Sequence, residues 1–315
     1  MGLTQFEQDV LSGLSSKPKK LSSRYFYNEA GDKLFQQIME LDEYYLSRAE
    51  MNIFENQKEQ ILELMKPDED FRLVELGAGD GRKTKVLLKY FSDQQIQYSY
   101  IPVDISSNVL QILEDDIKAE LPQIDINPLT GDYFSVLQDL KFRKTGHTVV
   151  YFLGSNIGNF LNETAITFLN SVKENLNVGD RMLIGFDLKK DPTKILAAYN
   201  DKQGVTKAFN LNLLDRINRE MDADFDVNGF EHSPVYDPMT GECRSYLVSL
   251  KEQEVHIGSL EETYTFKKWE AVFVEVSKKY DIDEIDYLAE SSGFKVIQNL
   301  FDENLFFADS IWEVK

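Results

Sequence analysis

The chain has 315 residues, of which 42% are hydrophobic and 28% charged, so it holds enough apolar volume for a real core and reads as globular. Lys and Arg total 34 against 54 Asp and Glu, a formal charge of -20 that repels nucleic-acid phosphates and anionic membranes alike, and neither is expected as a partner. The lone Cys243 excludes an intrachain disulfide, and His147, His232 and His256 show no metal-ligand spacing, so no metal is expected.

From the N-terminus, residues 5–14 repeat apolar side chains at helical spacing. They are not a basic region followed by an apolar run, and Phe6 stands where a myristoylation signal has Ser or Thr. A Lys-rich turn over residues 16–21 leads to the aromatic segment Arg24-Tyr25-Phe26-Tyr27-Asn28. Helical periodicity returns over residues 32–41 and 48–65. From Phe71 the pattern alternates: strand 72–76 ending in glycines, helix 82–91, strand 96–105, helix 108–120, buried strand 147–153, capped helix 163–175 and strand 181–188. That alternation predicts a parallel sheet with helices on both faces. It then breaks. Residues 192–220 read as one long helical stretch, and 230–257 as a hairpin turning at Asp237-Pro238-Met239-Thr240-Gly241. Residues 271–277 read as a strand, 281–291 as a helix, and 295–301 and 305–314 as closing strands.

The expected class is α/β, with a smaller α+β lobe beside the sheet. In this reading 1–70 is a helical segment contributing to that lobe, 71–190 the sheet domain, 191–280 the rest of the lobe, and 281–315 the closing helix and strands. No run of about 18 apolar residues occurs, so the chain reads as soluble and cytoplasmic, with no obligate protein partner.

The run Val74-Glu75-Leu76-Gly77-Ala78-Gly79-Asp80-Gly81 follows the first parallel strand and precedes a helix. Glycines there let the backbone turn sharply and approach a ligand, at the sheet edge where α/β ligands bind. The Gly-Lys-Ser/Thr ending of a phosphate loop is absent, and the third glycine of a dinucleotide fingerprint is misplaced. Glu75-Leu76-Gly77-Ala78-Gly79 instead resembles motif I of class I S-adenosylmethionine (SAM)-dependent methyltransferases, with their Rossmann-like sheet. Asp104 ends the next strand with a carboxylate suited to a ribose diol. Asp132 and Tyr133 end the third with an acceptor for an adenine amine beside an aromatic face. A single strand-end Asp is more often a helix cap, and Tyr133 alone could be core; three such features in order favour a nucleoside site.

The segments Arg24 to Gly31, Leu34-Phe35 and Leu41-Asp42-Glu43-Tyr44-Tyr45 resemble the N-terminal signature of the histidine-specific, SAM-dependent methyltransferases. These trimethylate the α-amino group of L-histidine to hercynine in ergothioneine biosynthesis. Gly154-Ser155-Asn156-Ile157-Gly158-Asn159, Ala198-Tyr199-Asn200-Asp201, Phe230-Glu231-His232 and Glu275-Val276-Ser277 are similar to further segments of that family, so the likeness spans nearly the whole chain. The resemblance implies SAM contacts from Gly77, Lys83, Asp104, Asp132 and Tyr133. It implies amino-acid contacts from Tyr44, Asn159, Tyr199, Glu275 and Ser277, with Tyr27 and Asn159 at the reacting amine.

Methyl transfer requires a neutral amine lone pair, and a carboxylate touching the amine would keep it protonated. The Tyr27 hydroxyl and the Asn159 amide are neutral polar groups that hold an amine without that penalty. Asn159 also reads as an ordinary turn residue, and Tyr199 as a packing residue with a hydroxyl for the substrate carboxylate. Glu275 and Ser277 share one face of their strand, with Val274 and Val276 on the other. That face is either the wet side of a sheet or a wall whose carboxylate and hydroxyl address two imidazole nitrogens. Tyr44 adds a hydroxyl or an aromatic wall.

Two positions depart from the family pattern: Asn28, where Asp is common, and Ser245, which falls where histidine-specific members carry an apolar Met. The expected partner is a small amino acid, L-histidine. A different amino acid or amine is the alternative substrate, and a SAM-fold binding protein without turnover the alternative class.

Overall fold

The computed structural model describes residues 2–65, 71–140 and 147–315. In chain order the helices and strands are α1 (Gln5–Ser15), α2 (Glu29–Met39), α3 (Leu46–Met65), β1 (Phe71–Leu76), α4 (Thr84–Asp93), β2 (Tyr98–Asp104), α5 (Ser107–Glu120), the two-residue strands β3 (Asp125–Ile126) and β4 (Leu129–Thr130), α6 (Tyr133–Leu140), β5 (His147–Phe152), α7 (Asn162–Lys173) and β6 (Arg181–Asp187). They continue with α8 (Pro192–Tyr199), α9 (Val205–Met221), β7 (Phe230–Asp237), β8 (Glu242–Ser249), β9 (Gln253–Ile257), β10 (Glu262–Phe266), β11 (Ala271–Lys278), α10 (Ile282–Ser291), β12 (Phe294–Phe301) and β13 (Phe307–Val314). They fall into two compact units, Met1–Tyr44 with Asp191–Ser277, and Tyr45–Lys190 with Lys278–Lys315. Helix α3 belongs to the second; the expected boundary at 70 lies outside the described residues.

The second unit is built on an eight-stranded sheet in the order β12-β13-β6-β5-β1-β2-β3, with β4 also on β2. Strands β1 to β6 pair in parallel, while β13 runs antiparallel to both β6 and β12. Both faces are covered, which is why the central strands read as continuous apolar runs rather than as alternation. One face carries Val74, Leu76, Val150, Phe152, Met182 and Ile184 into a core with Phe168 and Leu169 of α7 and Leu288 of α10. On the other, the Glu75 side chain meets Thr84 of α4, and Gly185 of β6 has the Glu50 side chain of α3 against it. The strand order reverses at β1, and the turns after β1 and β5 leave on either side of that point, the crevice where such sheets bind ligands. This is the parallel sheet with helices on both faces that the alternating pattern predicts, in the Rossmann-like arrangement that the motif I resemblance implies.

The first unit holds α1, α2, α8, α9, a three-stranded sheet β11-β8-β7 and the hairpin β9–β10. Its core joins Val10, Phe26, Ile38, Leu213, Ile217, Leu247, Phe266 and Val274. Thr4 and Glu7 form a reciprocal capping box on α1, and the Asn28 side chain caps α2 by accepting from the Gly31 amide at 2.8 Å. An aspartate would accept the same bond, so the departure at 28 leaves the cap intact.

Three expectations need correction. The stretch read as one helix over 192–220 is two, α8 and α9. Asp201 accepts from the amides of Val205 (3.0 Å) and Thr206 (2.8 Å) and starts a new helix after Gly204, whose φ is +76°. Of the hairpin expected over 230–257, only 230–249 pairs about the turn at 237–241; residues 253–257 pair instead with 262–266 in the β9–β10 hairpin. Helix α7 follows Leu161 with no side-chain cap.

Candidate active site

Beyond Leu76 the chain turns through Gly77, Gly79 and Gly81, with φ of +74°, +56° and +63°. A Cβ on Gly77 would stand 2.7 Å from Tyr133 Oη and 2.9 Å from Asn156 Nδ2, so only glycine keeps this turn against its neighbours. The turn is fixed to the end of β2. Gly77 and Ala78 donate to the Val103 carbonyl (2.8 and 3.1 Å), and Gly79 donates to Asp104 Oδ2 (3.0 Å). Ser106 donates to Asp104 Oδ1 at 2.9 Å. Burial pushes the Asp104 carboxyl above its ordinary pKa despite these donors, and each oxygen keeps lone-pair capacity for a further hydroxyl. Burial, with the Asp104 charge, also raises the Tyr133 phenol, which stays a neutral hydroxyl. The ring is set edge-on to Phe152 at 5.4 Å. Gly77, Asp104 and Tyr133 therefore come together. Asp132 stands at the start of α6, where it accepts from the Ser135 amide (3.2 Å) and hydroxyl (2.6 Å).

Lys83, just before α4, ion-pairs with Glu50 of α3. Glu50 is fully buried, and its second oxygen accepts from the Gly154 amide at 2.7 Å, at the end of β5. Buried Asp309 lies near both; burial and the Glu50 charge push its carboxyl well above the usual range. Glu50 carries no motif signal: it sits 33 residues before Lys83 on a helix of unremarkable pattern. Glu75, the acidic residue of the glycine motif, does not face ligand space. At 2% exposure it accepts from Thr84 Oγ1 (2.6 Å) and Tyr100 Oη (2.5 Å), and burial raises its pKa to about 7.

A carboxylate for a diol, an aromatic ring with a neutral hydroxyl, an ammonium for a carboxylate and a glycine turn that cannot bear a side chain suit a nucleoside with an amino-acid tail. The residues present fit SAM. Among the described residues no cluster of His, Cys, Asp and Glu could hold a metal ion, and no helix is long and apolar enough to cross a membrane.

In the same unit, Asn159 is the exposed last residue of a short 3-10 turn, Asn156–Asn159. Gly154 and Ser155 enter that turn at φ of +71° and +58°. Gly158 lies so close to the chain at Lys278 that a Cβ would stand 2.6 Å from the Lys278 carbonyl.

The first unit gathers the remaining candidates in two groups. The half-buried ring of Tyr27 packs edge-on to Phe35 (5.7 Å) and Phe209 (5.6 Å), and Phe35 in turn meets Tyr44 at 6.4 Å. The Tyr27 carbonyl accepts from Arg216 at 3.1 Å, fixing the loop before α2. Separately, Tyr199 at the end of α8 donates to Ser277 Oγ on β11 at 2.8 Å. On β11 the valines 272, 274 and 276 are buried, and Glu275 is half-buried on the opposite face from Val274 and Val276. Ser245 is 2% exposed on β8, its hydroxyl 3.3 Å from His232 Nε2. Burial lowers the His232 pKa to about 4, so this ring is neutral at pH 7.

The sequence model of the family described as "Histidine-specific methyltransferase, SAM-dependent" matches residues 6–314. The histidine N-alpha-methyltransferase of Mycolicibacterium smegmatis is 37% identical over 273 residues, 87% of this chain and 84% of that protein. Its counterpart from Mycobacterium tuberculosis is 33% identical over 302 residues, 96% and 92% of the two chains. The L-tryptophan methyltransferase trpM of Psilocybe serbica is 26% identical, covering 93% of this chain and 88% of that one. With a glycine turn, Asp104 and Tyr133 assembled at the switch point of a class I sheet, and a match running almost end to end, the chain belongs to the histidine-specific, SAM-dependent methyltransferase family and is a SAM-dependent N-methyltransferase.

Proposed function

We propose that the protein methylates the α-amino group of free L-histidine and carries the reaction to the trimethylated product, hercynine. The observation that carries the reading is the Tyr199–Ser277 hydrogen bond, with Glu275 two residues earlier on the same strand. It presents two hydroxyls and a carboxylate from α8 and β11, a set that reads an amino acid with a polar, nitrogen-bearing side chain. Hydrogen-bonded readout discriminates strongly, because an analogue lacking the matching group leaves buried polar atoms unpaired.

SAM supplies a methyl group on a positively charged sulfur: the amine lone pair forms the new C–N bond, the S–CH3 bond breaks, and the positive charge passes from sulfur to nitrogen. In this reading Gly77, Lys83, Asp104, Asp132 and Tyr133 hold the donor, with Asp104 accepting from the ribose hydroxyls and Lys83 pairing the donor's carboxylate. Tyr27 and Asn159 orient the amine through neutral groups, so its proton is lost to solvent before each transfer. Tyr44, Asn159, Tyr199, Glu275 and Ser277 hold the amino acid. Holding two reactants in line supplies about 7–11 kcal/mol of the barrier reduction, so no covalent nucleophile is needed. The aromatic group of Tyr27, Phe35, Tyr44 and Phe209 favours a trimethylammonium product, whose diffuse charge rests well on ring faces.

Mass spectrometry of the purified protein incubated with SAM and a panel of amino acids tests the reading. Histidine gaining three methyl increments is the expected result. Methylation of tryptophan or another amine with histidine untouched would replace the substrate assignment while keeping the reaction class.

A further inference from the structure

We infer that Asp187 is a positioning residue for the amino-acid site: its one buried carboxylate anchors the three places where the chain passes between the two units. Those passages lie at Tyr44–Tyr45, Lys190–Asp191 and Ser277–Lys278. Within two residues of each stands a side chain bound to Asp187. Tyr45 Oη lies 3.0 Å from both carboxylate oxygens, Lys190 Nζ ion-pairs with Oδ1, and Lys279 Nζ sits 2.8 Å from Oδ2. All four residues belong to the second unit, and Asp187 and Lys279 are fully buried. The backbone joins in: Asp187 accepts from the Tyr280 amide (2.9 Å) through its carbonyl, and its own amide donates to Ser155 Oγ (3.0 Å). Ser155 opens the turn that carries Asn159, and the Tyr280 hydroxyl donates to the Ile157 carbonyl of that turn at 3.2 Å.

The pattern exceeds what a sheet needs for stability. Two ammonium groups and a phenol converge on one carboxylate, and burying such charged groups is an expensive arrangement if packing alone were served. Its members share another property. Tyr45 adjoins Tyr44, Lys279 follows Ser277 by two residues, Lys190 leads directly into the helix that ends in Tyr199, and Ser155 precedes Asn159 by four. Each tie stands beside a residue assigned to the amino acid. Of the SAM-side residues, Gly77, Asp104, Asp132 and Tyr133 have their own fixing contacts elsewhere, and Lys83 is held by Glu50 rather than by Asp187. The inference therefore rests on the proposed assignment of those four residues, and it predicts that Asp187 governs amino-acid binding and leaves SAM binding alone.

Asp187→Asn, Tyr45→Phe and the charge-compensated Asp187→Asn/Lys190→Met variant test it, with SAM affinity by calorimetry, KM for the amino acid, and amide hydrogen exchange by mass spectrometry. Asp187→Asn is expected to raise the amino-acid KM about tenfold, because misplacement at a distance from the chemistry is costly, with the SAM Kd within about twofold. Exchange should quicken together at 44–47, 188–191 and 278–280, and stay unchanged at 76–82. Tyr45→Phe, which keeps the fold, should quicken 44–47 alone and raise KM about threefold. The double variant should recover melting temperature but not KM. An unaltered exchange pattern at the three passages, a parallel loss of SAM affinity, or a double variant with wild-type KM would overturn the anchor. Failure of the wild-type protein to methylate histidine, with the exchange pattern as expected, would sink the substrate assignment and leave the anchor standing.

Discussion

Tyr199 donates its hydroxyl proton to Ser277 Oγ across 78 residues of sequence, so the two act as one hydrogen-bonded group before any ligand arrives. Removing either hydroxyl disturbs the other's orientation. Tyr199→Phe and Ser277→Ala are each expected to raise the amino-acid KM about tenfold, an effect of about 1.4 kcal/mol, and the double variant by far less than the product of the two. A double-mutant cycle on KM measures the coupling; simple additivity would show that the residues serve the substrate independently.

Asp104 is held at the tip of β2 by the Gly79 and Ser106 amides. Asp104→Asn keeps the size but loses the charge-assisted bonds to a diol. The expected result is a SAM Kd raised roughly 30-fold, about 2 kcal/mol, with the order of preference among amino acids unchanged. Titration calorimetry reads the first quantity and a competition assay the second.

The Lys83–Glu50 pair separates stability from binding. Lys83→Met leaves the fully buried Glu50 without its ammonium, and removing one partner of a buried pair costs about 3–5 kcal/mol. Adding Glu50→Gln should return much of that stability, because the amide oxygen still accepts from the Gly154 amide. SAM affinity should stay weak in both variants if Lys83 pairs the donor's carboxylate. Thermal melts beside SAM titrations distinguish the two effects, and recovery of both together would remove Lys83 from the donor site.

His232 makes the first unit sensitive to acid. Its folded pKa of about 4 lies below the unfolded value near 6.5, so between those limits the unfolded chain binds the extra proton. The contribution is complete above pH 6.5 and is lost as pH falls toward 4, amounting to about 3 kcal/mol at most. Glu231 and Asp201 oppose the shift and Lys207 assists it, but burial dominates. His232→Gln should narrow the difference in melting temperature between pH 7.5 and pH 4.5. An identical difference in the variant would mean the ring is not the titrating group.

The sheet was legible because its strands are buried on both faces: Val149 to Phe152 has no solvated side and so reads as one apolar run. The hairpin at 237–241 was legible because turn chemistry is local. The division between α8 and α9 was not, since Asp201 as a cap and Gly204 as a left-handed residue look like ordinary surface residues until the amides they serve are placed. Hairpin β9–β10 was hidden by exposed charged residues, with only Val255, Ile257, Tyr264 and Phe266 inward. At the candidate site, a strand end announced Asp104, whereas Asp132 and Tyr133, expected to end the third strand, lie just beyond β4 where α6 begins. Glu50 and Asp187 announced nothing, because a carboxylate that holds other side chains in place is defined largely by distant partners, Lys83 for Glu50 and Tyr45 and Lys279 for Asp187.

One consequence concerns synthesis. The first unit is assembled from Met1–Tyr44 and Asp191–Ser277, and the second cannot finish its sheet until β12 and β13 exist. On the ribosome, α1 and α2 must therefore wait on the order of tens of seconds for α9 and β11, with the faces bearing Val10, Leu14 and Ile38 still uncovered. A nascent chain stopped short of residue 278 would lack two strands of the main sheet, so the second unit stays open at β6 until β12 and β13 emerge.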